Sequence, residues 1–184
     1  MQEIKREVLV NKASELLKNG TVDRVFGWKK GEFDYDITPA LFTTAEDIEK
    51  EFVWGDFCGA NFSKYLVKET GKSEKKVLVF LKPCDTYSFN QLLTEHRFDR
   101  EKVYAVGVPC NGMLDTGKIK SNAEGIAKVT DTGDKVVIET LFDGEITLER
   151  NELLPDRCLN CKSKKHVAYD ELLGEDGTVL DSHR

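Results

Sequence analysis

Val77-Leu78-Val79-Phe80-Leu81-Lys82-Pro83-Cys84 and Val103-Tyr104-Ala105-Val106-Gly107-Val108-Pro109-Cys110 are two apolar runs that each end in Pro-Cys. Too short for helices and rich in β-branched residues, they predict buried strands. Proline ends each one because it has no N–H to give to a ladder. Between them, Asp85-Thr86-Tyr87-Ser88-Phe89-Asn90-Gln91-Leu92-Leu93 predicts a helix whose acidic and hydroxyl residues suit its first turn. Strand, helix, strand is a β-α-β unit. Its right-handed crossover makes the strands parallel and delivers Cys84 and Cys110 to the same carboxyl edge, which is where open α/β sheets bind ligands.

A third cysteine feature follows later, the pair Cys158-Leu159-Asn160-Cys161. A C-x-x-C brings two thiolates close enough for one metal centre, and two more from neighbouring strand ends would complete four ligands. Polar Asn160 and the basic residues Lys162, Lys164 and Lys165 place the pair in an accessible loop. A thioredoxin-like redox pair should open a helix after the first strand of a β-α-β unit, whereas this one follows Pro155-Asp156-Arg157. Zinc and iron-sulfur both accept four thiolates, and the residues alone leave that choice open. The competing reading of Cys84 and Cys110 is that of small buried hydrophobes.

Around this unit, Ile4, Val8, Leu9, Ala13, Leu16 and Leu17 recur at helical spacing before Gly20, predicting an amphipathic helix over 2–19. Val22 to Trp28 and Tyr35 to Leu41 predict an edge hairpin around Lys29-Lys30-Gly31-Glu32. Thr43 with Glu46 has the form of a capping box, and a further helix is expected over 61–68. Gly71-Lys72-Ser73 reads as a loop, since a P-loop needs glycine where Leu66 stands. Over 126–148 alternating strands are broken by Asp131-Thr132-Gly133-Asp134 and Asp143-Gly144, predicting an antiparallel insertion. A short helix is expected over 167–174 and a frayed end over 175–184. The expected fold is thus α/β: a parallel β-α-β core with an antiparallel β insertion before a C-terminal C-x-x-C loop, in one domain spanning 1–184.

The 184 residues are 40% hydrophobic and 33% charged, enough for one sizeable core with a small satellite lobe. A net charge of −6 without a concentrated basic face excludes nucleic-acid binding as an expectation. The first residues, Met1-Gln2-Glu3-Ile4-Lys5-Arg6-Glu7, lack the apolar segment of a signal peptide, and no apolar stretch approaches the ~20 residues of a membrane span. A cytoplasmic protein is expected, in which five cysteines serve as thiols or metal ligands rather than a disulfide framework. Cys58, flanked by aromatics, is expected near the centre as a spare or fifth ligand. Asp85 and Asp115 read as helix-start or loop residues, and His96 and His166 as solvated surface histidines.

Lys82-Pro83-Cys84-Asp85, then Gly107-Val108-Pro109-Cys110-Asn111-Gly112, then Cys158-x-x-Cys161 resembles the beta-subunit family of deazaflavin-reducing hydrogenases and dehydrogenases. The pattern is also similar to related iron-sulfur subunits of hydrogenases, formate dehydrogenases, anaerobic sulfite reductase and heterodisulfide-reductase-like complexes. The likeness runs from about Trp54 to Gly174, and Tyr169-Asp170-Glu171-Leu172-Leu173-Gly174 is similar to the family's acidic-to-glycine segment after its C-x-x-C. The resemblance implies a 4Fe-4S cluster on Cys84, Cys110, Cys158 and Cys161, no catalytic residue in this chain, and other subunits of a redox complex as partners. Longer relatives continue into a ferredoxin-like segment with more cysteines, so one cluster rather than three is expected. Some relatives bind a flavin, for which this sequence offers no G-x-G-x-x-G. A flavin-dependent oxidoreductase acting on a diffusible coenzyme and a structural zinc scaffold are the alternative functions.

Overall fold

The computed structural model describes residues 4–177. Its first helix, α1 (Arg6–Lys18), buries Leu9, Ala13 and Leu16 of the apolar stripe read from the sequence together with Val10, whereas Val8 of that stripe is exposed. Strand β1 (Val22–Lys30) and strand β2 (Ile37–Phe42) pair antiparallel from Val25↔Phe42 to Lys30↔Ile37. The hairpin is not confined to the edge: β1 lies inside the sheet, with five consecutive buried residues from Arg24 to Trp28, and of the two strands only β2 is at the edge. The reason is packing on both faces. A Cβ at Gly27 would stand 2.5 Å from the Phe52 ring, so the missing side chain is what lets that ring close over the strand.

Helix α2 (Ala45–Glu51) starts one residue later than the Thr43 pattern predicts. Extended Thr44 is the cap, its Oγ1 accepting from the Asp47 N–H at 3.1 Å. Strand β3 (Phe52–Val53) adds antiparallel to β1, and helix α3 (Ser63–Glu69) leads into β4 (Lys76–Leu81). Helix α4 (Pro83–Thr94) then carries the chain to β5 (Val103–Gly107), parallel to β4 from Val77↔Val103 to Leu81↔Gly107. Pro83 opens α4 as well as ending β4, at the one helical position where its missing N–H costs nothing. Val77 to Leu81 are all fully buried, as a strand covered on both faces requires. Each such side chain contributes about 1.5–3 kcal/mol of burial free energy.

Beyond β5, helix α5 (Thr116–Asn122) is capped by Asp115, whose carboxylate accepts from the Gly117 and Lys118 N–H groups. Strands β6 (Ile126–Asp131), β7 (Lys135–Thr140) and β8 (Glu145–Glu149) form an antiparallel meander. Its turns use Gly133 and Gly144 at positive φ. One face of this sheet joins α5, Leu153 and Leu154 in a second apolar cluster, separate from the main one.

A four-residue helix, α6 (Asp156–Leu159), precedes strand β9 (Glu171–Leu172). The main sheet therefore has the order β2-β1-β4-β5-β9, with β3 on β1. Residues 167–174 do not form the expected helix. Without them the buried strand β5 would leave its outer backbone groups unpaired. Instead Asp170 N donates to Ala105 O at 2.8 Å, Leu173 N to Gly107 O at 2.9 Å, and the Asp170 carboxylate accepts from Ala105 N at 2.7 Å. The first part of the expected frayed end is also tied down: Asp176 accepts from His166 N and Gly177 N donates to Lys164 O. Residues 178–184 lie outside the described residues. Among the described residues no helix is long and apolar enough to cross a membrane.

Candidate metal centre

Parallel pairing of β4 and β5 brings two cysteines to one sheet edge. Cys84 sits in the first turn of α4, directly after Pro83. Cys110 follows β5 through Val108, whose N–H donates to Leu81 O at 2.9 Å and so keeps the strand direction for one more step. Cys158 lies in α6, with its N–H on Pro155 O, and Cys161 in the turn beyond it. All four line one cavity of about 560 Å³, together with Lys64, Lys82, Arg157 and Lys164. Cys58 does not line it. As the flanking aromatics suggest, Cys58 is 1% exposed in the main core, its sulfur 3.9 Å from Val53 O.

The donor set suits a soft, thiolate-binding centre. Although the Cys84 residue is exposed to the cavity, the surrounding walls desolvate its thiol, and with the Asp85 carboxylate they push it up to about 12 against the pull of Lys82. Burial also pushes the Cys110 thiol up, opposed by the Gly112 N–H and by Lys82. Cys110 and Cys161 each raise Cys84 further, and Cys158 raises Cys110, so the sulfurs sense one another across the cavity. Thiols such as Cys84 and Cys110, which resist ionisation on their own, are stabilised as thiolates when a metal supplies positive charge. As the side chains stand, no three Cys, His, Asp or Glu among the described residues converge on a common point to chelate a single ion.

Two residues at the site escaped the sequence reading. Lys82 is 2% exposed: its ammonium pairs with Asp85 at 2.7 Å, donates to Ala60 O at 3.0 Å and lies 5.4 Å from the Trp28 ring centroid. The signal was present, a lysine continuing an apolar strand directly before Pro-Cys. Asp85 meets its helix-start role by accepting from Lys82 N at 3.1 Å and in addition neutralises this lysine. Arg150 is also buried, in the turn directly after β8, and reaches Asp131, Asn111 O and Gly112 O. Nothing local in the sequence marks it.

His166 is not a solvated histidine. It is buried, with Nε2 3.0 Å from Leu81 O and Nδ1 2.5 Å from Asp176 Oδ1, so both ring nitrogens are engaged as a brace. It fits because Gly107 has no side chain: a Cβ there would stand 2.9 Å from His166 Cδ2. His96 is exposed, as expected. Of the three lysines after Cys161, only Lys164 lines the cavity, while Lys162 and Lys165 face outward.

No family model matches the chain. The subunit beta of an F420-dependent formate dehydrogenase from Methanocaldococcus jannaschii is 29% identical over 99 residues, covering 54% of this chain and 26% of that protein. The subunit beta of F420-dependent formate dehydrogenase 1 from Methanococcus maripaludis is 31% identical over 99 residues, covering 54% and 25%. Over these 99 residues the chain is similar to beta subunits of F420-dependent formate dehydrogenases. The match spans about a quarter of the length of those curated relatives. A chain of the F420-reducing [NiFe] hydrogenase complex from Methanosarcina barkeri superposes with a TM-score of 0.64 at 19% identity, over 85% of this chain and 59% of that one. At that identity the superposition establishes a shared fold. The family resemblance read from the two Pro-Cys echoes and the late C-x-x-C agrees with these sequence matches.

Proposed function

We propose that this protein is a cytoplasmic iron-sulfur electron-transfer subunit of an F420-linked oxidoreductase complex, holding one 4Fe-4S cluster on Cys84, Cys110, Cys158 and Cys161. The observation that carries the reading is the partition of the cysteines: four, from three separate segments, line one cavity at the carboxyl edge of a parallel sheet, and the fifth is buried elsewhere. When bound, such a cluster supplies reversible one-electron storage. The chain's own part is positional. The ends of β4 and β5 fix two sulfurs, α6 presents the third, and the turn after it presents the fourth. Lys82 brings positive charge, partly offset by Asp85, beside a group whose four thiolates are anionic. In this reading residues 1–184 act as one iron-sulfur domain with 126–148 as its insertion, and the donor and acceptor of the electron lie in partner subunits.

A second reading, a flavin-dependent oxidoreductase acting on a diffusible coenzyme, is favoured by the size of the cavity and by the cations Lys64, Arg157 and Lys164 on its wall. One preparation separates the two. Anaerobic purification followed by iron, sulfide, zinc and flavin analysis should give iron and acid-labile sulfide in a form bleached by dithionite. Cys84→Ser and Cys158→Ser should lose most of the iron, and Cys58→Ser should keep it. A colourless, zinc-loaded chain, or equal loss from all three variants, overturns the ligand assignment. A tightly bound flavin with turnover by the isolated chain favours the second reading.

A further inference from the structure

Gly112 N donates to Cys110 Sγ at 3.4 Å, made possible by a positive φ of 96° that only glycine adopts without strain. The carbonyl of that same peptide unit, Asn111 O, accepts from Arg150 Nη1 at 3.0 Å, and the next carbonyl, Gly112 O, accepts from Nη2 at 3.1 Å. The guanidinium is held from behind: Nε donates to Asp131 Oδ2 at 2.5 Å, and Asp56 Oδ1 lies 3.8 Å from Nη2. Arg150 is 8% exposed, so these contacts are made away from bulk water. Charge-assisted bonds to consecutive carbonyls fix the tilt of the peptide between them, and pulling on Asn111 O polarises the Gly112 N–H toward the sulfur.

We infer that Arg150, directly after the last strand of the antiparallel insertion, is a positioning residue that orients the Asn111–Gly112 peptide onto the Cys110 sulfur and thereby raises the reduction potential of the cluster. This rests on the cluster reading above. Hydrogen bonds to ligand sulfurs are among the features that set iron-sulfur potentials, because they draw electron density from the thiolate and ease the arrival of an electron. The insertion then has a task in the centre although it contributes no ligand: Asp131 on β6 holds in place the clamp that follows β8. A lysine cannot replace it, since one ammonium does not span two carbonyls and a carboxylate in a planar fork.

The test uses the full chain with its cluster reconstituted anaerobically and the midpoint potential read by dye-mediated titration. Arg150→Gln and Arg150→Lys should both move the potential to more negative values while iron content stays near wild type. Asp131→Asn, which keeps the guanidinium and removes its anchor, should give a smaller shift in the same direction, and it serves as the working variant if Arg150→Gln does not fold. A wild-type potential in Arg150→Lys means that charge alone suffices and overturns the inference, as does an unchanged potential in all three. The metal-free chain gives an independent readout. The Gly112 amide should exchange with solvent slowly in wild type and faster in Arg150→Lys, whereas equal rates overturn the positioning role. If wild type binds no iron, the cluster reading fails and this amide alone decides the orientation.

Discussion

The two halves of the cysteine site are held by different physics. Cys84 and Cys110 stand at the ends of strands whose residues are almost entirely buried, so hydrophobic packing alone fixes their backbone. Cys158 and Cys161 sit on a four-residue helix with no buried residue and on the turn that follows it. That segment is held by a few hydrogen bonds, by Cys158 packing on the second cluster, and by the arm that returns through His166 and β9. One half is a packed wall and the other a lightly held cover. A short helix and turn cost little free energy to open, whereas unpairing β4 costs a large share of the global stability.

The contrast can be broken most severely at its base. Phe80→Ala removes a fully buried ring from β4, where it packs 5.7 Å from Phe52. It should lower stability by about 3–5 kcal/mol, measured by urea denaturation of the metal-free chain, and a loss below 1 kcal/mol would show that β4 is not the wall described here. Gly107→Ala tests the junction of the two halves. The new methyl meets His166 and Leu172 at 2.9 Å, and overpacking of this kind costs about 1–3 kcal/mol. Limited proteolysis should then release residues beyond 165 sooner while β4 stays protected.

The pH dependence of the wall has a defined sign. Burial pushes the Cys58 thiol from 9.0 up to about 12. The folded state therefore keeps its proton where the unfolded chain loses it, and the contribution present below pH 9 is lost as pH rises toward 12. Between pH 8 and pH 10 the stability of the metal-free wild type should fall by about 1 kcal/mol more than that of Cys58→Ala. Parallel urea titrations at the two pH values check this, and identical slopes would mean that Cys58 ionises as freely inside as outside. The smallest effect belongs to the cover. Leu159→Ala, at a side chain 46% exposed, should change stability by less than about 0.5 kcal/mol, because α6 contributes almost nothing to the core.

Much of this architecture was written locally. Apolar runs of strand length, a helix between them and proline at their ends specify the β-α-β unit, since an uninterrupted buried strand has few other readings. Alternation with Gly133 and Gly144 at the turns specifies the meander, and the cysteine spacing points to the four cysteines that line one cavity. What the sequence could not carry is whatever depends on neighbours distant along the chain. Residues 167–174 pattern like a helix but pair with β5, because an open backbone edge is a demand set by another segment. His166 looks solvated until Gly107 opens a slot for it, and Lys82 looks like a strand-end surface lysine until Asp85, Ala60 O and Trp28 close around its ammonium. Arg150 carries no local mark at all, since its partners lie 19, 38 and 39 residues away. Periodicity and turn chemistry act between near neighbours and are legible in one dimension. The burial of charge and the pairing of backbone edges are decided only when the fold brings remote groups together.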